Sequence, residues 1–103
     1  LWEFPRATRD GRETLETVAH RAAQKVSVQV EPMRLLGHVK HTVTYHSIRL
    51  YGYVCLFQGG EAHSDEYTAL RWLTPEELDT CPFSAPQRRL AQIFLNTLPN
   101  PLW

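Results

Sequence analysis

An α/β layered fold is predicted for this chain of 103 residues, and three patterns predict it. Apolar residues recur at helical spacing between Glu13 and Val26, and again after Ser84. Between Ile48 and Leu56 they alternate with Ser47, Arg49, Tyr51, Tyr53 and Cys55 in the two-residue period of a strand. Two substantial helices around a mixed sheet with long antiparallel strands satisfy all three, and no repeat or low-complexity segment suggests a solenoid. One domain, residues 1–103, is expected, because a hydrophobic share of 43% supplies a core without disulfide staples.

Trp2 and Phe4 alternate with Leu1 and Glu3 as in a short strand, which Pro5 ends for want of a backbone donor. A polar loop runs from Arg6 to Arg12. Leu15, Val18, Ala19, Ala22, Ala23 and Val26 form the stripe of an amphipathic helix over Glu13 to Val26, capped by Asp10 or Thr14. His20, Arg21, Gln24 and Lys25 lie on its wet face. Val26, Val28 and Val30 alternate with polar residues as in a strand, and a second strand covers Arg34 to Thr42. The return strand, Ile48 to Leu56, is long and central and completes a hairpin.

Gly59-Gly60 through Asp65 reads as an exposed turn, and Ala69 to Leu73 as a short strand. Thr74-Pro75-Glu76-Glu77 starts a helix, with an N-cap hydroxyl, Pro at the first helical position and Glu three after the cap. Ser84 opens the last helix, with Leu90, Ile93, Phe94 and Leu98 as its buried stripe and Arg88, Arg89 and Gln92 facing water; Pro99 and Pro101 end it. Trp2, Trp72 and Phe94 read as core.

Eleven Lys and Arg balance eleven Asp and Glu, so the chain has no global attraction to a polyanion and any nucleic-acid contact must be local. Two cysteines without a C-x-x-C partner point to a reducing cytoplasm rather than a disulfide framework or a metal cluster. No apolar stretch approaches the roughly 20 residues of a membrane span. The chain opens without Met inside a strand-like segment, which reads as a fragment of a larger protein.

The run His41-Thr42-Val43-Thr44-Tyr45-His46 sits between the two hairpin strands. It offers hydroxyls, imidazoles and an apolar wedge, chemistry for touching a base edge rather than for breaking a bond. On residue types alone a plain hairpin tip of β-prone Thr, Val and Tyr is the simpler reading. Zinc is disfavoured, because an odd separation on one strand puts His38 and His41 on opposite faces. Lys40 and Arg49 beside the loop, and Arg6, Arg9 and Arg12 near the first helix, are candidates for phosphate contact, each otherwise a solvated surface charge.

The order Trp-Glu-Phe-Pro, loop, helix, strands, His-x-x-x-x-His loop, Trp-Leu-Thr-Pro-Glu-Glu-Leu and final helix resembles the Nudix-like C-terminal domain of MutY-type A/G-specific adenine DNA glycosylases, over nearly the whole chain. The Nudix pattern G-x5-E-x7-R-E-U-x-E-E-x-G-U lies on the stretch after Pro5 without a gap. Ala7 takes the first Gly, Glu13 the first Glu and Arg21 the Arg, but Ala22, Lys25 and Val26 stand where an active hydrolase carries metal-binding glutamates. Magnesium at a pyrophosphate needs several facing carboxylate oxygens, which a Lys and two apolar side chains do not provide. Glu13 and Glu16 remain, as acidic residues of a first helical turn generally do.

In the resembled domains a loop like His-x-Phe-Ser-His reads 8-oxoguanine opposite adenine. Here His41 matches the first His, Val43 stands for Phe, Thr44 for Ser and Tyr45 for the second His. The resemblance implies an α/β/α sandwich and a non-catalytic recognition domain acting in base excision repair. It implies no metal or cofactor in this chain, and an upstream helical catalytic domain with an iron-sulfur cluster of the four-iron, four-sulfur kind that flips and excises adenine. The partner implied is double-stranded DNA containing 8-oxoguanine paired with adenine, bound by a monomer in a bacterial cytoplasm, associated with the nucleoid. His41, Val43, Thr44, Tyr45, His46, Lys40 and Arg49 are then the DNA-binding residues. The alternatives are a Nudix hydrolase of nucleoside diphosphate derivatives and a protein-interaction module docking through the Gly59 to Glu66 loop.

Overall fold

The computed structural model describes residues 1–99. Its elements run α1 (Leu15–Gln24), β1 (Gln29–Val43), β2 (His46–Gly59), α2 (Pro75–Thr80) and α3 (Ala85–Thr97), an α/β fold whose sheet is one antiparallel pair. The chain divides into two compact units. One holds Leu1–Phe4, Leu36–Gly52 and the residues from Trp72 on; the other holds Pro5–Leu35 and Tyr53–Arg71.

In the second unit Thr14 is the N-cap of α1, and its hydroxyl accepts from the Thr17 N–H at 3.2 Å. The helix is shorter than its stripe predicts. It ends at Gln24 because Ser27 takes φ 61, where the chain turns and the Val28 N–H reaches back to the Ala23 carbonyl. Ala23, Val26 and Val28 make the core of this unit, with Val30, Ala62 and Tyr67 packed on it. The loop after β2 is tied down where the His63 N–H donates to the Val26 carbonyl at 3.0 Å. Gly60, at φ 96, lies so close that an added Cβ would stand 2.5 Å from the Ser27 carbonyl oxygen.

β1 is one strand of 15 residues, not the two strands the sequence suggests, and it passes through Pro32. In a ribbon of two strands each has an outer edge free of ladder bonds, where a proline nitrogen costs no hydrogen bond. β2 has 14 residues, one fewer. The odd residue falls near Gly37, which takes φ 156, and a Cβ on Gly52 would lie 3.4 Å from the Leu36 side chain. A local two-against-one arrangement of this kind is a β-bulge.

In the first unit α3 packs against the distal hairpin: Ile93 lies 3.9 Å from a Cβ built at Gly37, and Leu90 3.1 Å from one built at Gly52. Val39, Leu78, Cys81, Gln87, Leu90 and Ala91 are buried here. α2 carries the capping box that its sequence predicts, Thr74 and Glu77 each bonding the other's backbone N–H. Trp2 forms a one-residue parallel bridge with Phe83, so the predicted opening strand reduces to that contact. Phe4 stacks on Phe83 at 4.9 Å, and its N–H donates to Oε1 of the buried Gln87.

Four further expectations fail. Residues 69–73 are irregular rather than a strand, and Trp72, read as core, is 67% exposed. β2, read as central, is one of a pair, so its ends Ile48 and Leu56 stay exposed despite their strict alternation. Arg88 does not face water. Its guanidinium donates to the carbonyls of Leu78 (3.2 Å), Asp79 (2.9 Å) and Cys81, and lies 5.4 Å above the Phe83 ring. It thereby serves the open carbonyl end of α2, which ends without a basic residue of its own. Trp2 and Phe94 are half-buried. Pro101 lies outside the described residues.

Candidate nucleic-acid interface

β1 ends at Val43 and β2 begins at His46, leaving Thr44 and Tyr45 as a two-residue turn. Thr44 adopts φ 55 while Tyr45 keeps a negative φ. Two-residue hairpins demand a positive φ at their first central position, normally met by Gly, Asn or Asp. A β-branched Thr held there is strained by about 1–3 kcal/mol, and strain of this kind gathers at binding and catalytic sites.

The turn fixes the register of the distal hairpin. Val43 faces His46, and counting back sets Thr42 opposite Ser47, Lys40 opposite Arg49 and His38 opposite Tyr51. The rings of His38 and Tyr51 meet at 5.6 Å, as this register requires. Val43, His41 and Val39 follow one another on one face, Val39 buried and His41 half-buried; Lys40 and Arg49 lie on the other face and are exposed.

All seven residues singled out from sequence therefore stand on one distal hairpin. Tyr45 at the apex is 96% exposed and Val43 46%; Thr44, His46, Lys40 and Arg49 are exposed as well. The arrangement presents an aromatic ring, a hydroxyl and an imidazole in a narrow projection two residues wide, a shape that enters a groove. Arg6, Arg9 and Arg12 belong to the other unit. Arg9 Nε donates to the Glu13 carbonyl at 2.9 Å. Sequence reading missed Arg89 on α3, whose Nη2 donates to the Lys40 carbonyl at 2.9 Å.

The remnant of the Nudix-like pattern lies in the second unit. Arg21 grips Glu13 with two prongs, Nη1 to Oε2 and Nη2 to Oε1 at 2.9 Å, and Nη2 also donates to the Thr8 carbonyl at 2.6 Å. The Asp10 N–H donates to Glu13 Oε1 at 2.8 Å. Arg21, and after it the Asp10 N–H, lower the Glu13 pKa to about 2. Glu16 accepts from the Tyr53 hydroxyl at 2.6 Å, which lowers the Glu16 pKa and raises that of Tyr53. Lys25 pairs with Glu66 at 3.8 Å, and Val26 is 4% exposed within the core. The two surviving carboxylates are thus engaged by neighbours, and the positions after Arg21 supply packing and a cation.

The sequence profile of the NUDIX domain family matches residues 1–92. Comparison with curated proteins and with solved structures gave no match.

Proposed function

The chain belongs to the NUDIX domain family, and from that premise we propose that it is a DNA-lesion recognition domain, reading 8-oxoguanine opposite adenine for an A/G-specific adenine glycosylase in base excision repair. The single observation that carries the reading is Thr44, a hydroxyl held at the apex of an exposed two-residue turn by a backbone conformation that Thr resists.

The chemistry suits the task. An 8-oxo purine carries a proton on N7 where guanine presents only an acceptor, so the Thr44 oxygen accepts from the damaged base and finds no donor at N7 of guanine. Since a hydroxyl also donates, the fixed backbone must set the preference. Tyr45 supplies a stacking surface beside it, and Val43 a smaller wedge than an aromatic residue. Duplex DNA containing the lesion is the proposed partner.

Support also comes from what the family's catalytic positions hold here. Ala22, Lys25 and Val26 provide no carboxylate, and Glu13 and Glu16 are bound to Arg21 and Tyr53. Adenine excision belongs in this reading to a separate catalytic half of the same polypeptide, with its iron-sulfur cluster. Cys55 and Cys81, one half-buried and one buried, are too few to hold such a cluster themselves.

The test joins the chain to that catalytic half and measures binding to duplexes with 8-oxoguanine or guanine opposite adenine. Thr44→Ala combined with Tyr45→Ala is expected to reduce the preference for the lesion about 10-fold or more, the worth of one lost specific base contact. Unchanged preference would refute the assignment. So would magnesium-dependent release of pyrophosphate from a nucleoside triphosphate by the purified chain.

A further inference from the structure

We propose that Arg89 is a positioning residue: through the Lys40 carbonyl it fixes the inclination of the hairpin arm, and so the place of the Thr44 hydroxyl at its tip. This role rests on the lesion-recognition reading only for what the tip reads.

The arm needs support from outside itself. It is a ribbon of two strands, and such a ribbon alone is marginally stable in water. At its base the pairing is disturbed by the bulge near Gly37, a residue with no side chain to brace it. From Gly37 to Val43 the arm runs on for about 20 Å at ~3.3 Å per residue. Over that length a tilt of about 10° moves the tip by about 3 Å, enough to lose a hydrogen bond.

Helix α3 meets the arm at two heights within one compact unit. At the base, Ile93 and Leu90 lie against Gly37 and Gly52, apolar contacts without direction. One helical turn before Ile93, Arg89 donates from Nη2 to the Lys40 carbonyl at 2.9 Å, a point about 10 Å nearer the tip than Gly37. Among the described residues no other side chain hydrogen-bonds to the arm between Gly37 and Gly52.

The ladder explains why that carbonyl is available. Val43 and His46 flank the two-residue turn as a hydrogen-bonded pair, so three pairs back Lys40 and Arg49 form a non-hydrogen-bonded one. The Lys40 carbonyl therefore points outward from the edge of β1, in the plane of the ribbon, and α3 reaches it whichever face the Lys40 side chain takes. Arginine suits the task, because its long stem spans from helix to edge and its planar fork sets the direction of the bond. Arg89 is exposed, and among the described residues it is in no ion pair that would draw it elsewhere.

Amide relaxation of the chain by NMR tests the support directly. In Arg89→Ala the order parameters from His38 to Tyr51 are expected to fall from about 0.85 toward 0.6 while those of α1 hold. Arg89→Lys, which keeps a cationic donor, should lie between. Melting curves check that each variant is folded, and Arg89→Lys carries the test if Arg89→Ala is not. Unchanged order parameters in Arg89→Ala overturn the proposal.

Binding to duplexes with 8-oxoguanine or guanine opposite adenine, by the chain joined to its catalytic half, supplies the second arm. Arg89→Ala should reduce the preference for the lesion about 3–10-fold, part of the worth of one base contact, at an unchanged salt slope. In a Thr44→Ala background it should reduce the preference no further, as for two residues that act through one contact. Equal weakening for both duplexes with a salt slope lower by about 1 would make Arg89 a phosphate contact and overturn the proposal. So would looser amides with undiminished preference. If the amides loosen and the wild type shows no lesion preference, the positioning stands and the lesion reading falls; unchanged amides with wild-type preference intact remove the positioning alone.

Discussion

Arg21 holds both carboxylate oxygens of Glu13, eight residues earlier in the chain, and stitches the loop before α1 to the last turn of that helix. A third contact, to the Thr8 carbonyl, fixes the loop from its other side.

The pair makes stability depend on pH in a definite direction. The Glu13 carboxyl has an ordinary value of 4.5 and falls to about 2 in the folded chain, Arg21 being the main cause and the Asp10 N–H the next. Its contribution is therefore complete above about pH 4.5 and is lost as pH falls toward 2. Melting curves of wild type and Glu13→Gln should differ at neutral pH and converge in acid, and a carboxyl resonance of Glu13 followed by NMR should titrate near 2.

Tyr53 gives the opposite sign. Its hydrogen bond to Glu16, then burial, raise the phenol above its ordinary 10.0, so this contact stabilises the fold below that pH and is lost as pH rises through the folded value. Absorbance titration of the tyrosines should show one group ionising late, and Glu16→Gln should return it toward the others. Retention of the late group in Glu16→Gln would show that another neighbour is responsible.

Thr44→Gly separates stability from recognition. Glycine accepts φ 55 without strain, so the variant should be more stable by about 1 kcal/mol. The same change removes the hydroxyl and loosens the turn, and lesion preference should drop. Greater stability with undiminished preference would mean that the strained hydroxyl has no part in reading the base.

Adjacent arginines on α3 should behave differently on truncation. Arg88→Ala removes donors to three carbonyls at the end of α2 and a cation from the Phe83 ring, and is expected to cost about 2–3 kcal/mol in chemical denaturation. Arg89→Ala, exposed and bonded to one carbonyl, should cost about 1 kcal/mol or less. Equal losses would contradict the division of labour between them.

Legibility followed the range of the interactions. The helices were readable because their causes are local: a hydroxyl cap at Thr14 or Thr74, a proline at the first position, an apolar stripe. The site loop was readable for the same reason, being continuous in sequence. Trp72 was misread because its residue type predicts burial while its placement depends on how residues distant in sequence pack. The roles of Arg88, Arg89 and Tyr53 were invisible, since each is defined by a partner 7 to 49 positions away that no periodicity marks. The continuity of β1 through Pro32 has a different cause: a proline breaks a central strand but not a ribbon of two.

The turn of Thr44 and Tyr45 also imposes a parity on the arm as far as Gly37. With only two residues between Val43 and His46, each side chain of that distal stretch owes its side of the ribbon to simple odd-even counting from the apex. A single residue inserted on either arm between the apex and Gly37 would transpose His41 with its neighbour Lys40, or Arg49 with Ile48, turning an imidazole outward and driving a cation against the buried Leu90 side. Point substitutions leave this counting intact; a one-codon slip in the arm does not.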